Sequence, residues 1–495
     1  MLETIVQVNQ IVNNVVWGVP MIVLLAGTGL LMTVLTGGFQ FRHLGHWMRQ
    51  TIGGIFLDRR VTRHTGKGDG AISQFQSMCT ALAATIGTGN IVGVASALAA
   101  GGPGAVFWMW VVALLGMMTS FSENVLGIYY RKRDENGAWL GGTMYYLRHG
   151  VGELPGCKWL GNVLATLFSL FCLVATFGIG NMSQVNSIAI NMEQAFGIRP
   201  VVCGVVLMVV VGIVVLGGIK RVASVAEKLV PVMALGYVGG ALIVCAVNYA
   251  RILPALAAIF KGAFGLRAVG GGIVGSGVKL ALNWGMKRGI FSTEAGLGSA
   301  VMVNANSNVR EPVRQGMWGI FEVFADTIVV CTLTALTVLT SGLVDLDTGA
   351  LLVQSQGSAL VGQAFATVFG AGGPILIALA IFLFAFSTLL CWSHYGATAF
   401  AYLFGTRAVN LYKLVFVAFI AIGATMDLSL AWDLSDTFNG LMALPNLVGL
   451  VLLSPVVVRI TRNYIARNLQ GQDIEPMLSA DPDIQAEQAH DLAHH

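Results

Sequence analysis

Charged residues are scarce in this chain of 495 residues, of which only 11% are Asp, Glu, Lys or Arg and 56% are hydrophobic. A typical soluble domain is about one quarter charged, so this composition excludes an ordinary soluble protein. The net charge of +4 is small and gives no indication of a nucleic-acid partner. Apolar runs of about 18 residues or more recur along the chain, which predicts a polytopic membrane protein.

Motifs for covalent catalysis, metal-dependent hydrolysis and nucleotide binding are missing. The sequence has no GxSxG, no HExxH and no Walker-type GxxxxGK[ST], which are the patterns of those three chemistries. Its 7 cysteines are scattered without CxxC or Cys/His spacing, which favours buried thiols over a metal site. We therefore expect no enzyme and no ATP-driven pump, and a transporter of this kind would draw its energy from an ion gradient.

Eleven apolar segments are long enough to span a bilayer. They lie at about 16–36, 74–100, 104–130, 161–182, 200–219, 228–248, 273–303, 316–341, 372–393, 408–426 and 431–458. Lys and Arg concentrate in every second loop, at 42–67, 131–133, 220–221, 310–314 and 407–413. Because short cytoplasmic loops are rich in Lys and Arg, we expect the N-terminus outside and the C-terminus in the cytoplasm. The polar tail after Gly471 is expected to be disordered.

The ten segments that follow the first one divide into five and five. Five is odd, so the second set enters the membrane from the opposite side, and a structural repeat between the sets would be inverted. The chain is therefore predicted to contain an N-terminal helix with a basic cytoplasmic loop, a first five-helix repeat, an external loop with an amphipathic segment, a second five-helix repeat and a cytoplasmic polar tail. These parts are 1–73, 74–248, 249–272, 273–458 and 459–495.

Two stretches interrupt apolar spans with glycines, hydroxyls and one strongly polar residue. They are Ala84–Ile91 and Gly289–Gly298, and each lies in the first span of its five-helix set. In hydrocarbon an unwound backbone is tolerated only where protein or a water-filled cavity satisfies its polar groups. Paired interruptions predict the binding site of a transporter. The alternative is that the glycines only let helices pack closely.

The first interruption would leave free carbonyls where one half-helix ends and free N–H groups where the next begins, at Gly87–Asn90. Such ends suit a cation and a carboxylate respectively. In a later span, Ser387 and Thr388 carry adjacent hydroxyls. These could ligate a hard cation or only bond to the carbonyl one turn earlier. Trp392 lies one turn after Thr388 and could form the wall of a pocket.

Ionisable residues also fall within the predicted spans, namely Glu123, Arg288, Glu294, Glu322 and Asp326. Charges are costly at membrane depth, so we expect these residues to face the bundle interior in pairs. One expectation is a gating or structural ion pair of Arg288 with Glu294 or Glu123. The acids also leave proton coupling open as an alternative to coupling by a metal cation.

Several motifs resemble the alanine or glycine:cation symporter family. They are residues 74–77, 85–95, 101–105, 141–147 and 288–300, and the resemblance extends over about 17–462. It implies an all-α polytopic membrane protein of the LeuT-like (amino-acid-transporter) fold, a 5+5 inverted repeat with one extra N-terminal helix. It also implies Na⁺-coupled secondary active symport of alanine or glycine across the bacterial inner membrane by alternating access, without an organic cofactor. The alternative is a proton-coupled small amino-acid transporter of the same fold.

The same resemblance implies a set of residues for the ion and another for the substrate. For Na⁺ it implies the carbonyl oxygens of Ala83 and Ile86 and the hydroxyls of Ser387 and Thr388. For the amino acid it implies Thr85, Gly87, Thr88, Gly89 and Asn90 from the first interruption, Gly289, Phe291 and Ser292 from the second, Thr388, and an apolar wall of Phe177 and Trp392. The expected partners are therefore a small neutral amino acid, Na⁺ and the lipid bilayer.

Overall fold

The computed structural model of the chain describes residues 2–66, 70–135, 137–265, 274–425 and 429–493. The end of the predicted external segment, 266–272, lies outside the described residues. The α-helices in chain order are α1 Leu2–Val16, α2 Val19–Leu35, α3 Phe39–Arg42, α4 Leu44–Met48, α5 Gly54–Leu57, α6 Arg59–Thr62, α7 Gln74–Thr85, α8 Val92–Gly101, α9 Gly104–Tyr129, α10 Thr143–His149, α11 Lys158–Phe177, α12 Ser183–Phe196, α13 Pro200–Val215, α14 Gly218–Val247, α15 Ile252–Ala263, α16 Val274–Thr293, α17 Val301–Asn304, α18 Pro312–Val323, α19 Thr332–Thr340, α20 Gly357–Phe369, α21 Gly372–Phe404, α22 Val409–Thr425, α23 Ser429–Leu452, α24 Ser454–Asn468 and α25 Pro482–Ala493.

Shorter elements connect these helices. Strands β1 (Lys132–Arg133) and β2 (Trp139–Leu140) form an antiparallel pair. The π-helical segments are Arg49–Gly53, Gly178–Met182 and Phe324–Cys331, and the 3₁₀ segments are Thr88–Asn90, Val151–Glu153, Tyr249–Arg251 and Thr406–Ala408. All three π segments join helices end to end, α4 to α5, α11 to α12 and α18 to α19. Such π turns are rare and occur frequently at functional sites.

The membrane-spanning character of the chain is clear from its long apolar helices. Within the described residues, 7 helices are long and apolar enough to cross a membrane, or 9 if each of 2 bent pairs is one span. Two shorter apolar helices, α13 and α20, accompany them. The predicted span 273–303 is not among these nine. Its helix α16 carries three charged residues, Lys279, Lys287 and Arg288, and is therefore not apolar enough to be counted. The number eleven and the repeat boundaries stay predictions.

The first interruption forms where the sequence predicts it. α7 begins with a capping box between Ser73 and Gln76, which satisfies two free N–H groups of its first turn. The helix ends at Thr85, and the backbone is extended at Gly87 before the 3₁₀ segment. α8 then continues at an angle, so that the pair is bent by 58°. The predicted break is confirmed, and the end of α7 and the start of α8 both lie inside the bundle.

The second interruption begins inside the predicted stretch, at its sixth residue. α16 stays helical through Gly289 and Ser292, and the non-helical segment is 294–300. Glu294 has a φ of 53° and is the sole non-glycine residue with positive φ in the part of the chain that the structure describes. This conformation costs a residue with a Cβ about 1 kcal/mol or more, so the surrounding contacts must hold it. The predicted stretch Gly289–Gly298 therefore does contain a break, which begins in its second half.

α9 is the central helix of the packing. It contacts α16 and α18 extensively, together with α2 and α15. One hydrophobic cluster extends through the bundle from Val16 to Tyr464. Across the predicted repeats, α11 packs on α23, α12 on α21, and α13 on α22. The two interrupted helices are thereby surrounded by other helices, which is the condition under which unwound backbone is tolerated at membrane depth.

The segment before α7 pairs with the segment after α17. The backbone N–H of Ile72 donates to the carbonyl of Asn306 at 2.9 Å, and that of Asn308 donates to the carbonyl of Ile72 at 2.8 Å. Ile72 and Ser307 thus form a parallel bridge. At this place backbone hydrogen bonds join the start of the first interrupted span, before α7, to the end of the second interrupted span, after α17.

Arg131 fastens the loop that follows α17. Its guanidinium donates to the carbonyls of Ala305 (3.1 Å), Ser307 (2.6 Å) and Val309 (2.6 Å). The same group lies 3.8 Å from the centre of the Trp139 ring, and the side chain is only 2% exposed. A planar group with five N–H donors can satisfy several carbonyls at once, which explains why arginine stands here.

Replacing Arg131 by lysine should destabilise the protein by about 3 kcal/mol, since an ammonium keeps the charge but cannot reach all three carbonyls. The measurement is the midpoint of thermal unfolding of the purified protein in detergent. Arg133→Lys is the matched control, because Arg133 makes an exposed ion pair with Glu487 at 2.8 Å, a kind worth at most about 1 kcal/mol. Equal midpoints for the two variants would contradict the role assigned to Arg131.

The tail after Gly471 is folded, so the prediction of disorder is wrong. The N–H of Ala480 donates to the carbonyl of Tyr129 at 2.9 Å. On α25, Ile484 is buried in a small cluster with Ala71 and Trp139. These few apolar contacts anchor a segment whose composition is otherwise polar.

Candidate functional site

The hydroxyls of Ser387 and Thr388 point at the last turn of α7. Thr388 Oγ1 lies 3.1 Å from the carbonyl oxygen of Ala83 and 3.0 Å from that of Phe384. Ser387 Oγ lies 3.2 Å from the Ala83 oxygen and 2.8 Å from the Phe384 oxygen. Each hydroxyl therefore bonds one turn back, as one alternative predicts, and also meets a carbonyl at the first interruption, while ligation of a cation stays a prediction.

This arrangement collects neutral oxygen atoms at one point. Ala83, Ser387 and Thr388 are brought together, and Ile86 is the first residue after α7, where its carbonyl no longer lies inside a helix. Carbonyl and hydroxyl oxygens suit a hard cation. Among the described residues no group of three or more His, Cys, Asp or Glu side chains could hold a metal ion. The donor set therefore fits an alkali cation better than a transition metal.

Close contact between α7 and α21 depends on Gly87. A Cβ at this position would lie 2.7 Å from Thr388 Oγ1, which is closer than non-bonded atoms approach. The Gly87 N–H donates to Asn90 Oδ1 at 3.0 Å, so the amide of Asn90 folds back over the break. Glycine is required here for approach, and Asn90 satisfies a donor that the helix can no longer serve.

A small cavity lies beside the break. Its volume is about 20 Å³, roughly the space of one water molecule. The residues that line it are Ala84, Thr85, Gly87, Thr88, Gly89, Ile179, Gln184, Phe291, Glu294, Thr388, Trp392 and Asn439. Seven of the predicted substrate residues are in this set: Thr85, Gly87, Thr88, Gly89, Phe291, Thr388 and Trp392.

Four predicted substrate residues do not line the cavity. Phe177 instead packs against the rings of Tyr412, Phe416 and Phe419. Gly289 lies against α9, where a Cβ would come within 3.2 Å of Met109. Asn90 and Ser292 lie close by but direct their polar groups elsewhere. Ile179, which belongs to the π segment Gly178–Met182, lines the cavity in place of Phe177.

Gln184 is a lining residue that the sequence analysis missed. Its Oε1 accepts from Thr88 Oγ1 at 3.4 Å, and its Nε2 donates to the carbonyl of Ile179 at 3.0 Å. The π segment Gly178–Met182 also brings Gly180 against Trp392. A polar residue soon after the Gly178-Ile179-Gly180 sequence, inside an apolar span, is the signal that could have revealed it.

Asp326 joins the two interrupted helices. Its Oδ1 accepts from Asn90 Nδ2 at 2.6 Å, and its Oδ2 accepts from Ser292 Oγ at 2.8 Å. Thr327 donates to Oδ2 at 2.8 Å, and Cys331 Sγ lies 3.4 Å from Asn90 Nδ2. Asp326, Thr327 and Cys331 belong to the π segment Phe324–Cys331. One carboxylate thus fixes the first break relative to the last turns of α16.

Glu322, one turn earlier, serves a separate group. Its carboxylate accepts from Asn304 Nδ2 at 3.3 Å. Asn304 also donates to Asn124 at 3.1 Å and accepts from Ser77 at 2.8 Å. Glu322 and Asp326 therefore do not act on the same partners, although they share a helix.

The expected ion pair is absent among the described residues. Glu294 accepts from Trp392 Nε1 at 3.0 Å and from Ser299 Oγ at 2.5 Å. Glu123 accepts from the Gly296 N–H at 3.1 Å. Arg288 is bonded to neither carboxylate, and its guanidinium lies 5.4 Å from the centre of the Trp284 ring and 5.9 Å from that of Phe291. Neutral donors take the place of the expected arginine at both carboxylates.

The model of the sodium:alanine symporter family matches residues 2–478. The chain belongs to this family. It is similar to the sodium/alanine symporter AgcS of Methanococcus maripaludis, with 43% identity over 459 residues that cover 92% of this chain and 97% of the relative. It is also similar to the probable sodium/glutamine symporter GlnT of Bacillus subtilis, with 36% identity over 471 residues that cover 94% of this chain and 91% of the relative.

Solved structures establish the fold of this family member. The structure of MhsT in complex with L-phenylalanine aligns with a TM-score of 0.54 at 13% identity, covering 80% of this chain and 99% of that one. A Na⁺-coupled sialic acid symporter aligns with a TM-score of 0.52 at 14% identity, covering 96% of each chain. The predicted LeuT-like fold is confirmed. The symporter is therefore a multi-pass membrane transporter that couples amino-acid movement to a cation, and it is not an enzyme.

Proposed function

We propose that this symporter imports alanine or glycine together with Na⁺ across the bacterial inner membrane by alternating access. The observation that carries the proposal is the meeting of the Ala83 carbonyl with the Ser387 and Thr388 hydroxyls at the first interruption. These oxygens are uncharged, so a bound monovalent cation adds a charge that is not cancelled by a ligand. One Na⁺ with one zwitterion then moves net positive charge inward, and this gains about 2.3 kcal/mol per 100 mV of membrane potential.

The amino acid is proposed to bind in the cavity beside this cation. The N–H groups that begin α8 suit its carboxylate, and the carbonyls that end α7 suit its ammonium. Phe291, Ile179 and Trp392 supply the apolar wall. In this structure the cavity has the space of about one water molecule, so it must widen to admit an amino acid, and a small amino acid needs the least widening. A small substrate is favoured for that reason.

Removing the Thr388 hydroxyl tests the cation site. Thr388→Ala should raise the Na⁺ concentration for half-maximal uptake by about tenfold, since one oxygen ligand is lost, whereas Thr388→Ser keeps the hydroxyl and should stay close to the parent protein. The matched control is Thr398→Ala on the same helix. The Thr398 hydroxyl contacts only His394, donating to its carbonyl at 2.9 Å and lying 3.5 Å from its Nε2. The measurement is uptake of labelled alanine into proteoliposomes over a series of Na⁺ gradients.

Two results would count against the proposal. An unchanged Na⁺ requirement in Thr388→Ala would remove this hydroxyl from the cation site. Uptake driven by a proton gradient in the absence of Na⁺ would favour proton coupling through the buried carboxylates, of which Glu294 borders the cavity. A panel of labelled alanine, glycine and glutamine in the same vesicles separates the substrate named for AgcS from that named for GlnT.

A further inference from the structure

A second and larger cavity lies far from the first interruption, on the face that the Lys and Arg distribution predicts to be cytoplasmic. Its volume is about 630 Å³. It is lined by Gln50, Arg60, Arg63, His64, Thr65, Gly66, Gln74, Asn308, Arg310, Glu311, Arg314, Tyr464, Arg467, Asn468 and Leu492. Five arginines therefore border one space, and Glu311 is the single acidic residue among the described lining residues.

Guanidinium groups outnumber carboxylates among the residues that line this cavity. Arg467 pairs with Glu311 at 2.8 Å, Arg310 pairs with Asp491 at 3.1 Å, and Arg314 lies 3.7 Å from Asp58. His64 pairs with Glu227 at 3.0 Å. A concave surface lined mainly by positively charged groups concentrates anions even where some of these groups are paired.

Polar groups at the cavity also await a partner. Arg63 follows α6, is exposed and has no ion-pair or hydrogen-bond partner in the described ranges. The side-chain oxygen of Asn308 is buried and likewise without a partner there. An amide can turn its NH₂ end toward an acceptor. Arg63 thus offers donors at the end of α6, and the Asn308 amide offers donors from the loop after α17 once its NH₂ end is turned toward a ligand.

We propose that this cavity binds a phosphate-bearing anion. Guanidinium groups recognise phosphate oxygens through paired N–H donors, and basic pockets on the cytoplasmic side of membrane helices bind anionic lipid headgroups. A phospholipid headgroup and a soluble phosphate compound share this chemistry. Gln74 begins α7, and Asn308 follows α17. A bound anion therefore connects the start of the first interrupted span with the end of the second and stabilises their present arrangement.

The test uses the full-length protein in detergent with phosphatidylcholine. Its midpoint of thermal unfolding is followed in two titrations. Phosphatidylglycerol is compared with further phosphatidylcholine, and inorganic pyrophosphate is compared with sodium chloride at equal ionic strength. The cavity variant is Arg63→Gln/Arg314→Gln. The charge-matched control is Arg42→Gln/Arg148→Gln, which removes two exposed arginines outside the cavity.

We expect an anionic ligand to raise the midpoint of the parent and control proteins. The cavity variant should need at least about tenfold more ligand for half of that shift, since each lost charged hydrogen bond weakens binding. A response to phosphatidylglycerol alone identifies the lipid as the source, and a response to pyrophosphate alone identifies a soluble phosphate. Arg63→Gln by itself should need about threefold more, which keeps the test valid if the double variant folds poorly. Equal half-saturation in cavity and control variants, or no shift with either anion, would overturn the proposal.

Discussion

An Asp326→Ala variant should lose about 99% of its Na⁺-dependent alanine uptake. Without the carboxylate, Asn90 and Ser292 lose the acceptor that holds them at 2.6 and 2.8 Å. Asn90 in turn positions the Gly87 N–H at the first interruption. A displacement of about 1 Å in a binding geometry can lower a rate by about a hundredfold, and here both interrupted helices are released together.

Asp326→Asn serves as the matched variant. Its side-chain oxygen can still accept from Asn90, and its NH₂ group can donate to the Ser292 hydroxyl, which is able to accept. We expect this variant to keep at least about a tenth of the parent rate. Initial rates in proteoliposomes, corrected for the amount of folded protein, decide between the two. If Asp326→Ala transported at the parent rate, Asp326 would not be needed to hold the breaks in register.

A Gly87→Ala variant should also lose uptake by about a hundredfold. The added Cβ would lie 2.7 Å from Thr388 Oγ1 and 3.7 Å from Thr388 Cβ. The backbone conformation of Gly87, with φ −124° and ψ −153°, is one that alanine can adopt. The effect is therefore expected from pushing α7 and α21 apart at the proposed cation site, not from backbone strain.

Gly236→Ala provides the control for the glycine substitution, because a Cβ there would meet nothing within 4 Å. Uptake by this control should match the parent protein. The measurement is the Na⁺ concentration for half-maximal uptake and the maximal rate for each variant. A parent-like Na⁺ requirement in Gly87→Ala would mean that Thr388 can move without affecting the cation.

The first interruption was predictable because its residues are themselves poor helix formers. Gly87, Thr88, Gly89 and Asn90 lie together in an apolar run, and small or locally bonding residues favour turns over helix. The adjacent hydroxyls of Ser387 and Thr388 also stand out in the sequence, and the resemblance to the symporter family favoured their role as cation ligands beside the carbonyls of Ala83 and Ile86. The structure brings these hydroxyls to the Ala83 carbonyl.

Other features depend on contacts that a single sequence does not reveal. The second break starts at Glu294, a residue with good helix propensity, and its positive φ accompanies bonds to Trp392 and Ser299 that come from distant or later residues. Ile179 replaces Phe177 at the cavity because an extra residue per turn in a π segment shifts the face of the helix. The folded tail likewise depends on a few apolar residues in a polar segment, among them the buried Leu478 and Ile484.

The bridge between Ile72 and the segment around Ser307 has a consequence for how the molecule can move. Separating the segment at Ile72 from the loop around Ser307 would break two backbone hydrogen bonds, each worth about 1 kcal/mol net. Separating Arg131 from that loop would break its contacts to three carbonyls. Moving Ile72, Arg131 and the loop as one piece breaks none of these. A rigid body at this end of the transporter would therefore contain chain from both predicted five-helix sets, and a boundary between moving and stationary parts would cut across the predicted structural repeat instead of following it.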